Sequence, residues 1–251
     1  MASNTKNHGG FSMDGKWQEV KIIGIIEENI NTRRFFFEFT ELEQFNFRAG
    51  QFIKLKINDD IVRAYSIAST IPGIKRLELL VVLKKDGAGT PILFEKAKIG
   101  DKFLISKALG NFVLPKNPLS DLESEVCFIA TGSGIAPFRG MISELLASKY
   151  MGTVNLLFGT RTMEDLLYRD KFDALDYAQP NFHYIPILSQ EKRESWQGKT
   201  GRVHAVIQSI YKVHRPCDFY ICGRSKMVLE AKAHLLQMGY DNNHIHTENY
   251  G

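Results

Sequence analysis

A chain of 251 residues is long enough for one large or two modest domains with a real core. Apolar residues make up 44% and charged residues 24%, the balance of an ordinary globular protein. The net charge of +4, with Lys and Arg dispersed, is too small an excess to argue for nucleic acid, and no apolar run approaches the roughly 18 residues of a membrane span. Residues 1–16 are polar and Gly-rich, lack the apolar stretch of a signal peptide, and are expected to form a disordered tail. The three cysteines, Cys127, Cys217 and Cys222, show no CxxC or ferredoxin spacing, so no iron–sulfur cluster or other metal is expected. So sparse a set suggests reduced thiols and a cytoplasmic setting.

The first half reads as strands. Trp17 to Ile26, Thr32 to Thr40, Gln51 to Ile57, Arg63 to Ala68, Arg76 to Leu83 and Lys102 to Ser106 are short and rich in β-branched and aromatic residues. Turn residues such as Asn58-Asp59-Asp60, Pro72-Gly73 and Asp86-Gly87 separate them, a spacing that predicts an antiparallel sandwich or barrel. Thr90 as N-cap and Pro91 at the first position predict a helix through Ala97, whose start would offer amides to an anion. Arg63-Ala64-Tyr65-Ser66 stands out within these strands. It combines a guanidinium suited to phosphate, a ring for stacking and a small hydroxyl within four residues, which fits a ligand both planar and phosphorylated. Taken alone, an ordinary surface Arg and half-buried Tyr explain it as well.

Pro115 to Ser124 reads as a linker, dividing the chain into residues 17–118 and 119–251. Beyond it the pattern changes. Val126 to Ala130 is continuously apolar, as in a strand buried on both faces. Thr131-Gly132-Ser133-Gly134-Ile135-Ala136-Pro137-Phe138 follows, leading into a helix with Phe138, Met141, Ile142, Leu145 and Leu146 on one stripe. Then come a strand (Val154 to Phe158), a helix (Met163 to Leu175), a strand (Phe182 to Leu188), a helix (Arg202 to Tyr211), a strand (Asp218 to Cys222) and a helix (Lys226 to Met238). Such alternation predicts an α/β parallel sheet with helices on both faces. Strand, Gly-x-Gly, helix is the nucleotide-cradling arrangement, although Pro137 stands near the place of a third Gly.

With Arg-x-Tyr-Ser in the first half and Thr-Gly-x-Gly-Ile-Ala-Pro-Phe in the second, the chain resembles the ferredoxin/flavodoxin–NADP reductase family from about Trp17 to the C-terminus. The resemblance implies an antiparallel β-barrel flavin domain followed by an α/β nucleotide-binding domain, with FAD and NADP(H) as cofactors. Arg63 and the backbone of Ala88, Gly89 and Thr90 would hold the FAD pyrophosphate. Tyr65 would pack on the flavin ring and Ser66 would approach its N5, with Ala64, Leu80, Val81 and Val82 also at the cofactor. Thr131 would sit near both flavin and nicotinamide, Cys222 and Gly223 would lie beside the nicotinamide ring, and Gly132 and Gly134 would let backbone amides approach the nucleotide pyrophosphate. Thr160, Arg161, Ser189 and Arg202 would hold the adenosine end. Tyr250 would cover the flavin face opposite Tyr65, with Glu248 near the ring; Ser66, Cys222, Glu248 and Tyr250 form the catalytic set.

Three departures qualify this. Gln190 stands where the family's NADP-type members carry a second Arg for the 2′-phosphate. Lys107-Ala108 replaces a common Gly-Pro, and Gly251 replaces an aromatic that packs on the FAD adenine. The resemblance implies a monomer passing hydride from NADPH to FAD once Tyr250 yields, then single electrons to an acidic partner, ferredoxin or flavodoxin. An NADH-dependent oxygenase reductase or free-flavin reductase is the alternative within flavoenzymes. A flavin- or nucleotide-binding regulatory subunit without turnover is the alternative outside them.

Overall fold

The computed structural model describes residues 17–115, 124–192 and 194–250. The expected tail at 1–16, most of the expected linker with its 118/119 boundary, and Gly251 lie outside these residues.

Six antiparallel strands form the first sheet: β1 (Trp17–Asn29), β2 (Thr32–Phe39), β3 (Phe52–Lys56), β4 (Val62–Ser66), β5 (Arg76–Val82) and β6 (Lys102–Ser106). Their order is β4-β3-β6-β1-β2-β5. An Ile67–Leu79 bridge joins the two outer strands and closes the sheet into the expected barrel. Alternation fills its interior: Val20, Ile22, Phe35, Phe37, Ile53, Leu55, Leu77 and Leu79 are buried together. Each such side chain contributes about 1.5–3 kcal/mol by leaving water.

Among the described residues the barrel's one helix, α1 (Thr90–Glu95), starts one residue from the expected arrangement. Gly89 occupies the cap, and Thr90 makes no capping bond. Its hydroxyl is engaged elsewhere, accepting from Lys84 N at 2.8 Å and donating to Lys84 O at 3.2 Å. The loop's own closure has taken the cap's donor and acceptor.

The second sheet holds β7 (Glu125–Thr131), β8 (Val154–Thr160), β9 (Phe182–Leu188), β10 (Lys199–Thr200), β11 (Cys217–Arg224) and β12 (Ile245–Tyr250), all parallel, in the order β10-β9-β8-β7-β11-β12. Helices α2 (Ala136–Ala147), α3 (Arg169–Ala178), α4 (Val203–Ile210) and α5 (Ser225–Gln237) cover its faces. Val126, Phe128 and Ala130 join a core that includes Phe138 and Met141 of α2, while Cys127 and Ile129 join the opposite core with α4 and α5. The first of these cores continues into the barrel through Ala49, Ala68, Leu80 and Phe112, so the two halves share apolar packing.

The helix expected over 163–175 is broken. Met163–Asp165 forms one 3-10 turn, and α3 begins only after Tyr168, whose φ of 57° is left-handed. That conformation costs a side-chain-bearing residue roughly 1–2 kcal/mol, so other contacts must hold it. Strands β10 and β12 were not anticipated. Both are short, polar edge strands whose pairing depends on a distant neighbour rather than on their own composition. Among the described residues no helix is long and apolar enough to cross a membrane.

Candidate functional site

Strand β7 has neighbours on both sides whose connections run in opposite directions, β8 and β11. An open parallel sheet opens a crevice at the carboxyl ends of such strands. Here that crevice faces the barrel and holds two adjoining cavities.

The smaller, of about 350 Å³, is a slot between the halves. Ala64, Tyr65, Ser66, Leu80 and Val82 form its barrel wall, and Ser133, Ala136, Glu248, Asn249 and Tyr250 its opposite wall. Strand twist brings consecutive residues of β4 around the same space, as the motif required. Val81 points the other way, into the barrel core, so only its backbone is available to a ligand there. Ser66 Oγ and the Tyr250 hydroxyl lie 2.5 Å apart, linking the walls. Burial pushes the Tyr65 phenol up to about 12 and the Glu248 carboxyl up to about 7, the neighbouring Ser66 hydroxyl pulling the latter slightly back. Burial also raises the Tyr250 phenol and the Cys222 thiol. Cys222 lines neither cavity; it is fully buried beneath Tyr250.

The larger cavity, of about 660 Å³, is a cleft over the ends of β7, β8, β9 and β11. It is lined by Thr131, Gly132, Thr160, Arg161, Ser189, Arg202 and Gly223, all expected there. Ser189 is fixed to the end of β8, its amide and hydroxyl both donating to Thr160 O at 3.0 and 3.1 Å. Gln190 does not line the cleft. Its backbone N–H donates to Arg161 O at 2.9 Å. Sequence reasoning missed Lys85, Arg224 and Lys226, three further cations at the rim, along with His204 and Glu230. A basic pair opening α5 at the end of β11 was the available signal for two of them.

The two glycines of the Gly-x-Gly turn do different things. Gly132 has a φ of 54° and faces open space, leaving backbone exposed to the cleft. A Cβ on Gly134 would stand 2.2 Å from the Cys222 carbonyl oxygen, so this glycine lets β7 and β11 converge. Gly223 is equally constrained, its absent Cβ falling 2.4 Å from Thr131 Oγ1.

The expected phosphate contacts lie outside both cavities. Arg63 is exposed on β4 and donates to Val62 O at 2.8 Å. Its Cγ is 3.4 Å from where a Gly89 Cβ would be, so Arg63 and the start of α1 are neighbours.

Buried polar atoms without a partner test whether a flat polar ring fits. Tyr65 Oη, Thr131 Oγ1 and Glu248 Oε2 are three of them, and all three residues line the cavities. Each such atom costs about 1–3 kcal/mol unless a ligand satisfies it. A slot walled by Leu80, Val82 and aromatic rings, with unmet hydrogen bonds at its edge, matches a flavin.

Known proteins match this geometry. Residues 19–114 fit the family model of the oxidoreductase FAD-binding domain, and residues 128–233 that of the oxidoreductase NAD-binding domain. The chain is 30% identical over 243 residues to a ferredoxin–NADP reductase B of Sorangium cellulosum, covering 92% of this chain and 97% of that protein. It is 34% identical over 209 residues to the phenol hydroxylase P5 protein of Acinetobacter pittii, covering 81% of this chain but 58% of that one. The chain likewise spans 60% of the anthranilate 1,2-dioxygenase electron transfer component of Acinetobacter baylyi, at 29% identity and covering 83% of this chain. A ferredoxin–NADP+ reductase from Neisseria gonorrhoeae, solved with FAD and NADP bound, superposes with a TM-score of 0.79 at 28% identity, covering 93% of this chain and 98% of that one.

Proposed function

The chain belongs to the ferredoxin–NADP reductase family of FAD- and NAD-binding oxidoreductases, and on that premise we propose that it oxidises NADPH and passes electrons singly to a ferredoxin or flavodoxin. One observation carries the reading. Tyr250 lines both cavities and is tied by its hydroxyl to Ser66, so the ring slot and the nucleotide cleft meet at a single movable aromatic.

FAD, when bound, supplies a ring that accepts a hydride and releases single electrons. Tyr65 and Tyr250, which both line the slot, would hold that ring, and Arg63 would pair with its phosphate. Tyr250 swings aside to admit the nicotinamide, giving up its bond to Ser66. Thr131, Gly132 and Gly223 position the incoming ring, a task worth far more here than acid–base chemistry. With its carboxyl raised to about 7 by burial, Glu248 would be able to present either a donor or an acceptor at the ring edge near neutral pH. Arg161, Arg202 and Lys226 supply the charge that reads a 2′-phosphate. The net charge of +4 suits an acidic acceptor, and two near-full-length relatives carry ferredoxin in their names.

The test is a visible spectrum of the purified protein, followed by anaerobic NADPH and an acceptor screen. A yellow protein that bleaches and then reduces ferredoxin or flavodoxin supports the reading. A preparation that stays colourless after incubation with FAD or FMN overturns it. Arg202→Ala should weaken NADPH about tenfold relative to NADH, and equal loss with both would remove Arg202 from the phosphate site.

Gln190 favours one second reading, an NADH-linked reductase serving an oxygenase, in keeping with the names of two relatives. A kcat/KM higher for NADH than NADPH would select it.

A further inference from the structure

Glu78 sits in the middle of β5, within a run that is otherwise apolar, and is 7% exposed. Its carboxylate bonds side chains from three other segments. Arg34 Nε of β2 reaches Oε1 at 2.6 Å, and the Tyr168 hydroxyl donates to the same oxygen at 3.0 Å. Arg139 of α2 reaches Oε2 at 2.7 Å and also donates to Ala68 O at 2.8 Å. Glu28 of β1 completes the group, accepting from the Tyr168 amide at 2.9 Å and pairing with Arg34 at 3.2 Å. Both guanidinium groups lie over the Tyr168 ring, at 4.2 Å for Arg139 and 4.9 Å for Arg34. Two buried cations and two carboxylates therefore balance across the seam between the halves.

The placement links this cluster to the site. Strand periodicity puts Glu78, Leu80 and Val82 on one face of β5, and Leu80 and Val82 wall the ring slot. Arg139 lies one turn along α2 from Ala136, which forms the opposite wall. Tyr168 ends the segment that starts at Thr160 and Arg161 in the nucleotide cleft, and the bonds from Glu28 and Glu78 hold its left-handed backbone. At the same seam, a Cβ on Gly140 would stand 2.9 Å from Ser69 O, so α2 is already pressed against the barrel.

We propose that Glu78 is a positioning residue: through Arg139 and Tyr168 it sets how the nucleotide-binding half meets the flavin wall, and so the overlap of nicotinamide with flavin. An apolar seam would hold the halves together but permit sliding. Directional bonds to one carboxylate specify a single pose, and a displacement near 1 Å in a reacting pair costs up to about 100-fold in rate. The inference rests on the reading of the site given above.

The experiment compares Glu78→Gln and Tyr168→Phe with the unaltered protein, each loaded with FAD. Anaerobic stopped flow reads the limiting rate of flavin reduction, the nucleotide Kd and the long-wavelength charge-transfer absorbance of stacked nicotinamide and flavin. Expected are a limiting rate about 10- to 100-fold lower in Glu78→Gln and roughly threefold lower in Tyr168→Phe, a weakened charge-transfer band, and a Kd within about twofold. Amide exchange on the FAD-free proteins supplies a second readout, with faster exchange expected across 136–140 and 160–168 while β7 keeps its protection. Tyr168→Phe, which removes one hydroxyl, keeps the test open should Glu78→Gln fold poorly. Folded variants with an unchanged rate and band, or a loss confined to Kd, would overturn the proposal. Failure of the unaltered protein to bind flavin would instead sink the functional reading, leaving the exchange result to judge the seam.

Discussion

Strand β7 ends in two buried polar settings that could hardly differ more. At its start, Glu125 accepts from Arg215 Nε at 2.5 Å and bonds the Tyr211 hydroxyl and the Asn155 amide. At its finish, six residues on, Thr131 Oγ1 has no partner, and neither does Glu248 Oε2 on the edge strand nearby. Folding alone explains the first end, where both oxygens of the Glu125 carboxylate have partners. It does not explain the second, where burial without a partner is a standing cost. Unmet polar atoms also occur away from the cavities, at Gln18, Tyr184 and Tyr240, so it is their convergence on a cavity, at Tyr65, Thr131 and Glu248, that marks where a ligand belongs.

Four measurements sharpen or break that contrast. Glu125→Ala should be the most damaging, since it strands a buried tyrosine and amide and an arginine at once. A loss of about 3–5 kcal/mol is expected by denaturant unfolding, with the flavin spectrum of the folded fraction unaltered. Gly134→Ala tests whether the upper end depends on backbone convergence. Its new methyl meets the Cys222 carbonyl, and a loss of about 1–3 kcal/mol should come with weakened nucleotide binding. Thr131→Val inverts the usual sign. Replacing an unmet hydroxyl by a methyl should stabilise the ligand-free protein by about 1 kcal/mol while slowing its reduction by nucleotide. Destabilisation by that change would show that Thr131 is satisfied after all, and the contrast would fail.

The smallest effect is titrimetric. The Glu248 carboxyl is raised from 4.5 to about 7 in the folded state, so the folded state binds its proton more tightly than the unfolded chain. Its contribution is fully present below pH 4.5 and is lost as pH rises toward 7. Ligand-free Glu248→Gln should lack that decline, and parallel melting profiles for the two proteins would show the carboxyl to be unperturbed.

Much of this architecture was legible in the chain. Short runs of β-branched and aromatic residues between turn residues marked the barrel strands, and the unbroken run from Val126 to Ala130 marked the central strand of the parallel sheet. Ala64, Tyr65 and Ser66 of the first motif and Thr131, Gly132 and Ser133 of the second line the two cavities, while Arg63 and Gly134 do not. What stayed hidden depends on partners far away. Glu78 is bonded by Arg34, Arg139 and Tyr168, none closer than 44 residues in sequence, and nothing local distinguishes it from a solvent-facing glutamate. The broken helix before α3 follows from the same cause, since Tyr168 takes up its left-handed turn to satisfy Glu28 and Glu78. Strand β12 escaped notice because its alternation of Ile245 with polar residues reads as a tail until β11 is placed beside it.

The position of Cys222 has a practical corollary. Its thiol lies in the seam under Tyr250, and burial keeps it protonated, while Cys127 and Cys217 are sealed in the far side of the sheet. Alkylating reagents need an accessible thiolate. On the proposed displacement of Tyr250, the rate at which such a reagent consumes Cys222, resolved from Cys217 by peptide mapping, would time that displacement without any dye attached to the protein.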